Sequence, residues 1–324
     1  MDLKSIKSFL VQWIEQYLFF PNFFQRLISL LFLPLTLLYC IITTFKRVSK
    51  KPIYHGIPVI SIGNLLVGGT GKTPVTIALA KQKDDVAIVL RGYGRESQGL
   101  FVISLRGDIL EDVKTSGDEA MLLAKSLRTA TVIVSENRTQ AIIKAKELGC
   151  KLVFLDDGYG KHEILKYDIL LRPKEEPSNI FCLPSGGYRD TKMMYSFADC
   201  VVKEDIDFKR EVCFKDTQHN IMETLPKDTV LVTAISKPYR LLEYLPQSIK
   251  MVSYPDHYSF IQNDIDEIEQ KYPNYTLITT AKDMVKLNLL EIKAPIILMD
   301  LEVKVSDEVI KKVNSYINHF SKTH

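Results

Sequence analysis

The run Gly68-Gly69-Thr70-Gly71-Lys72-Thr73 constrains this chain more than any other feature. It follows a β-branched stretch, Val59–Ile62, and precedes a helical one, Pro74–Lys81, so the order is strand, glycine-rich loop, helix. Glycines let such a loop turn tightly enough that successive backbone N–H groups point inward at phosphate oxygens. The helix that follows adds its N-terminal partial positive charge. In this arrangement Lys72 reaches the β- and γ-phosphates of a nucleotide, and the Thr73 hydroxyl is placed for Mg²⁺. The usual pattern has one more glycine early in the loop, where this chain has Leu66. A dinucleotide fingerprint is disfavoured, because Lys-Thr stands where its third glycine belongs.

A phosphate loop of this kind needs an acid at the end of a neighbouring strand to help hold the metal. Lys151–Leu155 followed by Asp156-Asp157-Gly158 fits, with two carboxylates at the carboxyl end of a buried strand. Asp156 would serve the metal directly or through water. A guanine reader would carry lysine as the second residue of an [NT]KxD motif. In Thr280-Ala281-Lys282-Asp283 the lysine comes one place late, which favours ATP.

Further short apolar runs lie at Val86–Leu90, Thr131–Val134, Ile169–Leu171 and Cys200–Val202, with helical patterns at Glu119–Leu127 and Arg138–Leu148 between them. Continuous apolar strands alternating with helices predict a parallel sheet covered on both faces. The rhythm is lost from about 203 to 228, where charge accumulates. Strand candidates resume at Val230–Thr233, Lys250–Ser253, Leu277–Thr280 and Ile296–Leu298. A final helix over 307–320 carries Val309, Ile310, Val313, Tyr316, Ile317 and Phe320 on one face. The expected class is therefore α/β: a P-loop NTPase-like parallel-sheet domain over 51–205 and a smaller α/β domain over 206–324.

The first 50 residues are of another kind. Leu27 to Phe45 is uncharged, Pro34 should kink or divide any helix there, and Lys46, Arg47, Lys50 and Lys51 follow. The late start and the basic ending argue against a cleaved signal peptide. A single span, a kinked helix lying in the membrane interface, and a buried helix remain open. Both membrane readings put the body of the protein in the cytoplasm at a membrane surface. The formal charge of +3 is too small to argue for a nucleic-acid partner. The five cysteines (Cys40, Cys150, Cys182, Cys200, Cys213) form no CxxC pair, so neither a disulfide framework nor a zinc site is indicated.

Val59-Ile60-Ser61-Ile62-Gly63-Asn64 running into Val67–Thr73 resembles the tetraacyldisaccharide 4′-kinases, whose loop likewise lacks the early glycine. Further matches follow in that family's order. They are Arg91–Gly94, Gly117–Glu119, Ser135–Arg138, Asp156–Gly158, Leu183–Gly186 with Arg189, Asp256–Tyr258, and Lys282-Asp283 before Lys286-Leu287. The resemblance implies an ATP- and Mg²⁺-dependent kinase acting on the 4′-hydroxyl of a tetraacyl glucosamine disaccharide 1-phosphate at the cytoplasmic face of the bacterial inner membrane. It implies no protein partner. It carries a catalytic dyad onto Asp118 and His257 beside Lys72, with nucleotide held by Gly68, Gly69, Thr70, Gly71, Lys72 and Thr73. It adds Glu119 to Thr73 and Asp156 as candidate metal ligands, and Tyr93, Arg138, Arg189 and Asp190 as acceptor contacts. Chemically, an aspartate can accept the proton of a sugar hydroxyl as it attacks the γ-phosphorus, and a histidine can orient that aspartate. The alternative from another class is a membrane-anchored P-loop ATPase with a regulatory or partition role.

The chain departs from the family pattern in three places. After Asp156-Asp157-Gly158 the family has an aromatic or leucine and then Gln-His, whereas Tyr159-Gly160-Lys161-His162 puts Lys161 in the histidine's place. Asp190 and Ala281 each stand where the family usually has glutamate.

Overall fold

A computed structural model describes residues 3–218, 220–235, 238–256 and 258–323. The apolar runs become a mostly parallel sheet because both faces of each strand find cover. In chain order its strands are Val59–Asn64 (β1), Val86–Leu90 (β2), Phe101–Leu105 (β3), Asp108–Ile109 (β4), Thr131–Val134 (β5), Leu152–Asp156 (β6), Tyr167–Arg172 (β7) and Cys200–Lys203 (β8). Across the sheet they run β4-β3-β5-β2-β6-β1-β7-β8, parallel from β5 to β8. The antiparallel pair β3–β4 closes one edge and was not expected from sequence, since an edge strand shows a shorter and only half-buried apolar pattern.

Three helices precede this sheet: Leu3–Phe19 (α1), Phe23–Leu31 (α2) and Leu33–Val48 (α3). Pro34 sits in the first turn of α3 and so divides the uncharged segment into two helices, bent by 58° at Phe32. Among the described residues no single helix is long and apolar enough to cross a membrane; α2 and α3 together reach that length and composition only as a bent pair. They are anchored by Phe19, buried against Leu65, Leu66 and Tyr188, and by hydrogen bonds: Thr36 donates to Ser185 Oγ (2.7 Å), Ser29 to Ser185 O (2.5 Å) and Tyr17 to Pro184 O (2.9 Å). Much of their apolar surface stays uncovered, including Phe23, Phe24, Leu31 and Phe45, each more than 70% exposed.

Four helices follow the sheet's strands: Lys72–Ala80 (α4), Val113–Ser116 (α5), Asp118–Ser126 (α6) and Arg138–Glu147 (α7). Val75, Leu79, Met121 and Leu123 of α4 and α6 cover one face over Ile60, Ile62, Ile88 and Phe154. Ala141, Ile142 and Ala145 of α7 cover the other, over Val89, Ile133 and Leu155. The carboxyl ends of β1, β2 and β6 therefore open onto one crevice, where ligands bind in sheets of this topology.

A second sheet is built from Phe208–Lys215 (β9), Ile221–Met222 (β10), Thr229–Thr233 (β11), Lys250–Ser253 (β12), Thr276–Thr280 (β13) and Ile296–Val305 (β14). Its order is β10-β9-β14-β13-β11-β12, with helices Gln262–Lys271 (α8) and Ala281–Leu287 (α9) in its crossovers. The charge-rich stretch read as a boundary is in fact the long strand β9, paired antiparallel with β14 from Phe208↔Val305 to Lys215↔Leu298. This ribbon joins the two sheets. The last helix, Asp307–Thr323 (α10), does not stay with the second sheet as a division at 205/206 would place it. Val309 and Val313 bury themselves in the core of the first sheet, and Tyr316 packs at a tilt against Tyr167 of β7 and donates to Val59 O.

Candidate active site

Between β1 and α4 the chain folds into the phosphate loop. Gly71 caps α4 in the left-handed region at φ +87°, where an L side chain is strained, and a Cβ there would lie 2.8 Å from the Arg210 guanidinium of β9. Lys72 extends to Asn64 Oδ1 (3.3 Å) and Asp157 Oδ1 (3.6 Å). Thr73 Oγ1 donates to Asp156 Oδ2 at 2.7 Å. Burial, and then the neighbouring Glu119 charge, push the Asp156 carboxyl up to about 7. Enclosure acts to raise Asp157 as well, but Lys72 and Arg189 outweigh it and hold that carboxyl below its ordinary value.

This donor set suits a hard divalent cation: a hydroxyl and carboxylates, all oxygen, around a buried carboxyl that lacks a full counter-charge. Thr73 and Asp156, with Glu119 beside them, would hold it. No group of three or more His, Cys, Asp or Glu that could hold a metal ion is found among the described residues.

The loop forms one wall of a cleft of about 1040 Å³ between the two sheets. Gly68 to Thr73, Tyr93, Glu119, Arg138, Asp156 and Arg189 all line it, so most of the residues singled out in the sequence meet here. Leu301 and Val303 of β14, Lys282 of α9 and Arg210 line it as well. None of these four was expected from sequence as a site residue. Arg210 lies in the stretch read as a boundary, and only the tertiary fold brings β14 here.

Asp118 is the first residue of α6. Gly117 precedes it at φ +79° because a Cβ there would come within 2.9 Å of Tyr93 O, and this close approach ties the Arg91–Arg95 loop to the start of α6. Asp118 is nearly buried, and its Oδ2 lies 3.1 Å from Lys286 Nζ of α9. Lys286 also donates to Tyr258 O at 2.9 Å. His257, the other member of the expected dyad, lies outside the described residues.

Arg138 is buried at the start of α7 and donates to Ser135 O. Burial brings its guanidinium down to about 10, opposed by Asp157 and Asp156. Lys161 joins it in the cleft wall, its ammonium lowered by burial and then by Arg138. His162 instead turns edge-on to the Tyr159 ring, outside the cleft. The position where the family pattern has histidine thus faces the cleft here as a cation. Arg189 spans Asn64 Oδ1 (3.0 Å), Leu66 O (3.1 Å) and Asp157 Oδ2 (3.3 Å). Asp190 is the expected contact that the structure does not bring to the cleft: its carboxylate pairs with Arg47 of α3 at 2.7 Å.

A phosphate loop opening onto a cleft with Asp156 and Glu119 in its lining is the arrangement of a P-loop phosphotransferase. The chain matches the family described as Tetraacyldisaccharide-1-P 4′-kinase over residues 28–318. It belongs to that family and is a kinase. Similar proteins named tetraacyldisaccharide 4′-kinase come from Aliarcobacter butzleri, at 57% identity over 95% of this chain and 98% of the relative, and from Helicobacter acinonychis, at 41% over 97% and 96%. Among solved structures, LpxK from Aquifex aeolicus in complex with ATP is similar, with a TM-score of 0.69 and 26% identity over 90% of this chain and 99% of that one.

Proposed function

We propose that this chain transfers the γ-phosphoryl group of ATP to the 4′-hydroxyl of a tetraacyl glucosamine disaccharide 1-phosphate, forming lipid IVA in lipid A synthesis. The observation that carries the mechanism is Asp118 at the head of α6, nearly buried beside Glu119, which lines the cleft together with the phosphate loop. Lys72 leaves Asn64 and Asp157 for the β- and γ-phosphates, and the loop N–H groups hold the chain of phosphates in line. Mg²⁺ held by Thr73, Asp156 and Glu119 would offset charge on the transferred group. Asp118 takes the hydroxyl proton as the sugar oxygen bonds to the γ-phosphorus, the bond from that phosphorus to the β–γ bridging oxygen breaks, and ADP departs. His257 orients Asp118 in this reading. Arg138, Arg189 and Tyr93 face the anionic sugar, where guanidinium groups suit phosphate through paired contacts. Asp190 contributes by holding Arg47 and the loop that carries Arg189.

The bent α2–α3 pair rests on the cytoplasmic face of the inner membrane with its uncovered apolar residues in the acyl region. Lys46 and Lys51 then meet anionic headgroups. The test is transfer of label from γ-labelled ATP in detergent, comparing wild type with Lys72→Ala, Asp118→Ala and His257→Ala. Label in the lipid that falls at least about 100-fold in each variant supports the assignment. Lipid-independent ATP hydrolysis that survives Asp118→Ala would overturn it in favour of a regulatory ATPase.

A further inference from the structure

Helix α9 carries two lysines one turn apart, and the structure gives them parallel partners. Lys282 Nζ lies 3.2 Å from Asp256 Oδ1 and 3.9 Å from Glu119 Oε1. Lys286 Nζ lies 2.9 Å from Tyr258 O and 3.1 Å from Asp118 Oδ2. Each lysine thus holds one of the two residues flanking position 257 and one of the first two residues of α6. We propose that Lys282 and Lys286 form a clamp that sets Asp256 and Tyr258 against the head of α6, making both lysines positioning residues for phosphoryl transfer. The inference rests on the reading of Asp118 as proton acceptor.

The clamp has a fixed base. Asp283, fully buried, accepts from Thr233 Oγ1 (2.7 Å), Thr280 Oγ1 (2.9 Å) and Ala234 N (3.1 Å), which pins α9 to the ends of β11 and β13. Its other oxygen lies 3.5 Å from Lys286 Nζ. Lys286 is 7% exposed and rests 5.4 Å above the Phe260 ring, so it is the shared counter-charge of two desolvated carboxylates, one from each sheet unit. A solvent-exposed pair would contribute little to geometry. This one is enclosed, and removing the lysine takes from Asp118 and Asp283 the cation they share. Lys282 is less enclosed and faces the cleft, so it holds Asp256 more loosely.

The experiment uses the full chain in detergent with γ-labelled ATP and the tetraacyl disaccharide 1-phosphate. Lys286→Met is expected to lower kcat about 30-fold while the KM for ATP stays within about 3-fold, because an orienting contact acts on the transfer step and not on nucleotide binding. Lys286→Arg should recover part of the rate, and Lys282→Met should lower kcat about 5-fold. The decisive comparison is Asp118→Asn alone against Asp118→Asn with Lys286→Met: a lysine acting through Asp118 adds nothing to the loss. Full multiplication of the two losses, or wild-type kcat in Lys286→Met, overturns the clamp. If thermal unfolding shows Lys286→Met destabilised below the assay temperature, Lys282→Met decides by the same kcat and KM criteria. Wild-type transfer by Asp118→Asn would defeat the acceptor reading itself, whereas an inactive Asp118→Asn beside an active Lys286→Met defeats the clamp alone.

Discussion

A methyl group at position 71 is the smallest change that tests the phosphate loop. Gly71→Ala puts a side chain on a left-handed backbone and displaces the Arg210 guanidinium, so the strain falls on the loop and its N–H groups lose their convergence. ATP affinity measured calorimetrically should drop at least about 10-fold, an effect of about 1.4 kcal/mol, with little change in melting temperature. Asp156→Asn tests the cradle. It keeps the Thr73 contact but removes the charge, so the Mg²⁺ concentration for half-maximal activity should rise at least about 10-fold. His162 answers a different question. Burial and then Arg47 push it down to about 4 from an ordinary 6.5. Between those values the unfolded chain binds a proton that the folded chain refuses, so stability falls as pH drops from 6.5 toward 4. The urea midpoint of His162→Gln should fall less steeply over that window.

Elements differ in how plainly they were written in the sequence, and the reason is burial. Val86–Leu90 and Thr131–Val134 match their strands at both ends because strands covered on two faces read as unbroken apolar runs. Phe208–Lys215 exposes Lys209 and Glu211 and half-buries most of its other residues, and its lysines, arginine and glutamate hid a strand longer than most of those that were visible. Helix α9 has 7 residues, too few to show a period, although Lys282, Asp283 and Lys286 were noticed as a motif without a role. Which of Lys161 and His162 faces the cleft depends on the turn after Asp157, and no pattern encodes that. The N-terminal helices give a prediction at this scale. Thr36→Val removes the hydroxyl shared with Ser185 in a buried setting and should cost about 1–3 kcal/mol in urea unfolding. Because Tyr39 donates to Arg189 O at 2.8 Å, loosening α3 should also raise the KM for the lipid.

For the molecule as a whole, the β9–β14 ribbon is the covalent bridge between the sheets, and the chain crosses it twice at adjacent points. The second unit is therefore set into the first, whose core closes only when α10 returns to β7 and β8. Val313→Asp places an uncompensated charge in that core and should cost roughly 3–5 kcal/mol. The loss should be visible as a lower melting temperature, with the first sheet's amides losing hydrogen-exchange protection before those of β11 and β13. The return of α10 also sets an order on biosynthesis. The ribosome must translate every residue from β9 to β14 before it makes the helix that seals the first sheet. The P-loop unit therefore waits, with part of one face bare, while the unit that follows it in sequence has all of its strands in hand. A released chain ending at residue 306 should then be cut readily by protease within 59–203 while 208–305 resists.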